Sequence, residues 1–222
     1  MAAKASIKLI PQKLVEIVFQ IIGTSPLIQH RWDEKVLDRL RNTHDGVKVK
    51  AGRGEKRDRE GEFRRAAYTC ENGKFGVPTG AIKKCVMNAA HKDIGFERTL
   101  AKRAIKVIAT DMANNLVEME CDDPIMREDV VRVGQGGTDL RYRPEFRNWS
   151  VVVTCHIDKE TVTTEAVLNL FNRAGFGVGL HEWRPEKGGE YGCFEIDQSF
   201  PVQQRDLPEL SLVKSTTKKE AA

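Results

Sequence analysis

The stretch NRAGFGVGLHEWRPEKGGEYGCFEI, residues 172–196, carries six of the chain's 18 glycines. These are Gly175, Gly177, Gly179, Gly188, Gly189 and Gly192, and Trp183, Arg184, Pro185 and Lys187 sit among them. A helix pattern runs into the stretch and a strand pattern runs out of it. Glycine at this density serves a backbone at positive φ, or the close approach of another backbone or a phosphate. A hairpin loop with a glycine-rich turn would meet the first need as well. Nucleotide-cofactor loops are excluded by spacing. No helix pattern follows the glycines, as a dinucleotide fingerprint requires, and no Gly-Lys-Ser/Thr closes a Walker A loop. No cofactor is expected.

The rest of the chain supplies the elements around this stretch. Residues 13–22 (KLVEIVFQII) read as a largely buried strand that Gly23 to Pro26 stops. Residues 33–41 read as a short helix with acidic residues at its start. Between 42 and 74 the apolar pattern almost disappears, which predicts a mobile insertion with a loose hairpin at 63–70. Residues 81–91 (AIKKCVMNAAH) return to helical spacing, with Thr79 as a cap, Ile82, Cys85, Val86 and Ala89 on one face, and Lys83 and Lys84 beside it. Two short strands follow at 104–109 and 116–121, and the polar span 122–148 reads as a loop. Residues 149–158 (WSVVVTCHID) are a strand. Residues 162–174 are a helix begun at Thr163 or Thr164, with Val167, Leu168 and Phe171 as its apolar face and Gly175 as its stop. Strands are expected at 177–182 and 192–196, then a tail from 201 whose last eight residues, 215–222, are expected to be disordered.

Without its insertions this order is β-α-β-β-α-β. An α+β fold of the ferredoxin-like (RRM-like) type follows, a single domain over residues 1–200 in which a sheet packs on two helices. Such sheets commonly bind single-stranded nucleic acid, although fold alone does not establish function.

Charge locates the polyanion-seeking part. The chain's net charge is +4, and residues 47–65 hold eight Lys/Arg against four Asp/Glu, so this segment equals the net charge of the whole. No apolar run approaches the ~20 residues of a membrane span, and no signal-peptide core opens the sequence, so a cytoplasmic protein is expected. The five cysteines form no CxxC pair, and the five histidines form no HxH or HxxxH pair. Neither a disulfide framework nor a metal site is expected. Asp33-Glu34 and Asp122-Asp123 are explained by a helix start and a loop.

Two segments resemble a known family. GVPTGAIKK, residues 76–84, resembles the "IPGSSLKG" segment that opens the first helix in the RAMP superfamily of CRISPR-associated proteins. The stretch 172–196 resembles that superfamily's C-terminal glycine-rich loop and falls where that loop falls, after the second helix. With the element order, the resemblance covers most of residues 13–197. Ala81 stands at the family's second Ser and Lys84 at its Gly, and Trp183-Arg184-Pro185 forms an unusual insert. These departures suggest a divergent, phage-encoded member rather than a standard CRISPR subunit. The resemblance implies RNA or single-stranded DNA binding, side-by-side assembly into an oligomer or filament, and a role for the insertion 42–74 as a basic thumb on the strand.

The expected nucleic-acid contacts follow from residue type. Arg53, Lys56, Arg57, Arg59, Arg64 and Arg65 are placed to meet phosphates from a flexible arm. Arg141, Tyr142, Arg143 and Arg147 interleave cations with a ring, as backbone contact plus stacking requires. Lys83, Lys84, Arg184 and Lys187 extend the set around the glycine-rich stretch. A sequence-tolerant binding protein without catalysis is the first reading. Two others stand beside it: a metal-independent endoribonuclease using His30 or His181 as general acid/base, and a protein-binding or inhibitory module that mimics a CRISPR subunit.

Overall fold

A computed structural model describes residues 12–32, 34–47, 57–91, 95–133 and 137–208. Arg53, Lys56 and the end of the tail lie outside the described residues. Strand β1 (Leu14–Gly23) alternates strictly, with Val15, Ile17, Phe19 and Ile21 at 0–1% exposure and their neighbours half-buried. It is therefore a one-sided strand, covered by helices on one face only.

Its sheet explains the fold class. β8 (Trp149–Asp158) pairs with β1 antiparallel along nearly its whole length, from Leu14↔Asp158 to Ile22↔Ser150. The free edge of β1 is shared by β9 (Phe194–Ile196) and β10 (Gln203–Asp206). The free edge of β8 is likewise shared by β4 (Ile105–Ile108) and β5 (Leu116–Cys121). The two predicted short strands thus act as one edge strand, interrupted by a turn in which Asp111 bridges Leu116. Counting each shared edge as one strand, the order is 4-1-3-2, the ferredoxin-like arrangement. Short β3 (Gly76–Pro78) extends the sheet beyond β5.

Two helices cover the buried face. α3 (Thr79–Ala89) contributes Ile82, Cys85 and Val86. α5 (Thr164–Gly177) contributes Val167, Leu170, Phe171 and Ala174, and its cap Thr163 accepts a hydrogen bond from Ala166 N at 3.2 Å. Phe171 meets Phe19 edge-on at 4.8 Å between ring centroids, and Val153, opposite Phe19, is in the same core. α4 (Arg98–Ala104) leads into β4. Among the described residues no helix is long and apolar enough to cross a membrane.

Several expectations are corrected. Residues 122–148 are not a loop: β6 (Ile125–Val133) and β7 (Gly137–Phe146) form a long hairpin, and β7 also pairs with two-residue β2 (Leu27–Ile28). Charge concealed it, because Arg127, Asp129, Arg141, Arg143 and Glu145 occupy the hairpin face that an apolar alternation would normally mark. The helix expected at 33–41 is α1 (Glu34–His44), but the described part of the insertion 42–74 holds a second helix, α2 (Arg59–Arg65), and no hairpin at 63–70. The sequence signal for α2 lies in its charges: Asp58 caps it, Glu60 and Glu62 open it, and Arg64 and Arg65 close it. Residues 177–182 form no strand. α5 continues through Gly175 to Gly177, since Gly175 is buried where a Cβ would strike the Phe194 backbone. Leu168 only borders the core, and Leu170 takes its place on the buried face. Thr79 is the first residue of α3 rather than its cap.

Candidate nucleic-acid interface

Hydrogen bonds bring the chain after β1 and the glycine-rich segment together. Beyond β2, Gln29 is fully buried, accepting from Tyr68 N at 2.8 Å and donating to Gly76 O at 2.9 Å. Glu182 N donates to Ile28 O at 3.1 Å, and Gly192 N donates to Pro26 O at 2.8 Å. His30, Arg31 and Trp32 therefore emerge beside residues 181–184. The glycines serve both predicted uses. Gly179, Gly188 and Gly192 take positive φ, while Gly175 and Gly189 lie where the backbones of Phe194 and Trp183 pass; Gly177 meets neither condition. His181 and Trp183 also sit at positive φ, 59° and 54°, an uncommon backbone for such residues.

The charged face of the hairpin is turned toward this junction. Arg127 donates to Asp129 at 2.7 Å, Glu145 at 3.0 Å and Tyr191 Oη at 2.9 Å, and its guanidinium lies 4.9 Å from the centroid of the Tyr191 ring. Arg143 is 2% exposed, with Asp129 at 3.5 Å and Glu182 at 4.0 Å. Burial lowers its proton affinity, and the two carboxylates oppose that. Arg141 Nη1 lies 3.2 Å from His30 Nε2. A guanidinium only donates, so His30 accepts at Nε2 and is neutral. Burial, then Arg143 and Arg141, hold its pKa below the usual histidine value. That contact occupies the lone pair through which His30 would act as a base. The His181 ring lies 5.5 Å from that of Tyr68, and burial with Arg184 nearby depresses its pKa to about 4. Both candidate histidines thus lie at one junction, and both are neutral at pH 7.

The structure redistributes the expected phosphate contacts. Arg143 and Tyr142, at 2% and 4% exposure, are structural and reach no strand outside. Arg57 is bound to Glu62 at 2.7 Å and Asp139 at 2.9 Å, and it lies with Arg59 over the Tyr142 ring. Arg64 and Arg65 pair within α2's own neighbourhood, with Glu60 and Asp58. Arg147 pairs with Glu145 at 3.1 Å. Arg184 is held by Glu186 at 2.7 Å and donates to His181 O at 2.8 Å. The described part of the basic insertion is thus largely self-compensated. Among the described residues Arg31, Lys83, Lys84 and Lys187 make no ion pair with a carboxylate, and no group of three or more His, Cys, Asp or Glu residues is placed to hold a metal ion.

Two tryptophans of these segments are exposed. Trp32 is 59% and Trp183 44% exposed, whereas Trp149 is buried and donates to Ser25 O. Sequence reasoning missed Gln29, Tyr68, Arg127, Glu182 and Tyr191. Each is an isolated polar residue whose role depends on a partner distant in the chain.

No known protein family matches this sequence, and no curated protein matches it. The crystal structure of Cmr6 from Pyrococcus furiosus is similar in course: 12% identity, covering 83% of this chain and 99% of that chain, at a TM-score of 0.43. Likeness at that level carries no argument about function.

Proposed function

We propose that the protein binds RNA or single-stranded DNA without reading sequence, holding the strand across the junction of β2, the hairpin and the glycine-rich segment. The observation that carries this reading is the exposure of Trp32, next to Arg31 in the chain, and of Trp183, in the segment that meets Lys84 of α3 and holds Lys187; none of these three cations makes an ion pair with a carboxylate among the described residues. Rings offer stacking faces that every base can use, and free cations offer phosphate contacts. The two segments that resemble the RAMP superfamily also meet in space. Ala81 and Lys84 of α3 line one cavity with residues 178–181 of the glycine-rich segment. A RAMP-like role, with copies assembling side by side along the strand, accords with that meeting. Val130 and Leu140, opposite each other on the hairpin and both exposed, and Phe176 at 86% exposure offer apolar surface for neighbouring copies.

The test is fluorescence anisotropy of a labelled single-stranded oligonucleotide with wild type and the double variant Trp32→Ala, Trp183→Ala. Loss of base stacking costs about 1–3 kcal/mol per base, so the variant should bind at least about tenfold more weakly while keeping wild-type stability. Equal affinity would remove the aromatic rings from the site.

A further inference from the structure

Strand β6 has β7 on one side, and among the described residues no strand pairs with its other edge. Which backbone groups that edge exposes follows from Pro144. Its carbonyl accepts from Gln29 N at 3.1 Å, on the β2 side, and proline has no N–H. Pro144 therefore turns its polar backbone away from Met126, the residue opposite it in β6. Antiparallel pairs alternate between hydrogen-bonded and non-bonded. Met126↔Pro144, Glu128↔Tyr142, Val130↔Leu140 and Arg132↔Thr138 are thus the non-bonded pairs. Met126, Glu128, Val130 and Arg132 direct their N–H and C=O groups out of the open edge.

The side chains of the same four residues share one face of the hairpin. Met126 is 44% and Val130 67% exposed, with Leu140 at 36% across from Val130. Glu128 and Arg132 are exposed too, and neither makes an ion pair among the described residues. They stand about 13 Å apart along the strand, too far to meet each other.

An open edge of nine residues with apolar side chains is a template for another strand. The strand that matches it is β6 itself. In an antiparallel pair centred on Val130, Glu128 faces Arg132 of the second copy, Arg132 faces its Glu128, and Val130 meets Val130. All three turn their polar backbone to the shared edge, which gives about six backbone hydrogen bonds. Other centres lose this match. Centring on 128 or 132 sets Glu128 or Arg132 against itself, centring on 129 sets Asp129 against itself, and centring on 131 matches no charges. With Val130 at the centre, Leu140 and Val130 of each copy form one apolar line across the joined hairpins.

We propose that two copies pair through β6, antiparallel about Val130, so that their three-stranded sheets become one continuous sheet with two-fold symmetry. An isologous contact of this kind joins two copies and stops. It needs no nucleic acid, and it leaves Phe176, 86% exposed, as apolar surface for assembly along a strand.

The experiment reverses one charge at a time in nucleic-acid-free protein and reads association by sedimentation equilibrium. Wild type should show a monomer–dimer equilibrium. Glu128→Arg and Arg132→Glu each set like charges against each other at both ends of the pair, so each variant should dimerise at least about tenfold more weakly. An equimolar mixture of the two variants should recover wild-type association, because the arginines of one copy then face the glutamates of the other. Wild type that stays monomeric even at about 100 µM would overturn the pairing, as would reversals that leave association unchanged. Two weakened variants that gain nothing on mixing would overturn it as well. Should either variant fail to fold, the wild-type protein decides. Its Val130 amide should exchange hydrogen at least about tenfold more slowly in concentrated than in dilute solution, and an unchanged rate would overturn the proposal.

Discussion

His181 is held at φ 59° with a buried Nε2 and a pKa pushed down to about 4. A histidine in the unfolded chain takes its proton near pH 6.5. Above that pH the ring is neutral in both states and contributes no pH dependence. Between about 6.5 and 4 the unfolded chain binds a proton that the folded protein refuses, so stability falls with pH through this window. The loss amounts to roughly 2–4 kcal/mol for a shift of this size. His181→Asn, a residue that tolerates the left-handed backbone, should lose distinctly less stability than wild type between pH 7 and 4.5 in urea denaturation. Parallel losses in the two proteins would show that His181 is protonated normally. His30, also depressed, adds a slope of the same sign to both proteins and cancels in the comparison.

At the scale of elements, α5 is clamped to the sheet by Phe171, fully buried and edge-on to Phe19 of β1. Phe171→Ala should destabilise the protein by about 3–5 kcal/mol, as truncation of a buried aromatic does, measured by chemical denaturation. A loss below about 1 kcal/mol would mean the helix packs by another face. This part of the fold was legible because β1, β8, α3 and α5 each bury an apolar face whose period shows in the residues themselves. The β6–β7 hairpin was not, since its inward face carries Arg127, Asp129, Arg143 and Glu145, which neutralise one another only after the strands pair. The same blindness affected the candidate site. The glycine-rich segment announced itself by composition, whereas the closeness of His30 and His181, each weighed only as a general acid/base, depends on the pairing of Glu182 with Ile28. Arg57, Arg143 and Tyr142 looked free for a ligand because a sequence does not show that Glu62, Asp139 and the hairpin already engage them.

On the scale of the whole molecule, a net charge of +4 is modest, and what matters is which cations the fold leaves unneutralised. Exposed Arg31 adjoins exposed Trp32 in the chain, exposed Lys187 lies in one segment with exposed Trp183, and exposed Lys84 lines a cavity with residues 178–181 of that segment, whereas α2 and the hairpin spend most of their described charges on each other. Binding to a single strand should therefore weaken with salt, with log K falling by about 0.7 per phosphate contact against log salt. The decisive measurement is anisotropy of a labelled single-stranded oligonucleotide from low to moderate salt, for wild type and for the triple variant Arg31→Ala, Lys84→Ala, Lys187→Ala. Binding by wild type, with a slope flattened by about 2 in the variant, is the expected result. A wild-type protein that binds no single strand even at low salt would contradict the account and turn the junction into a surface for a protein partner.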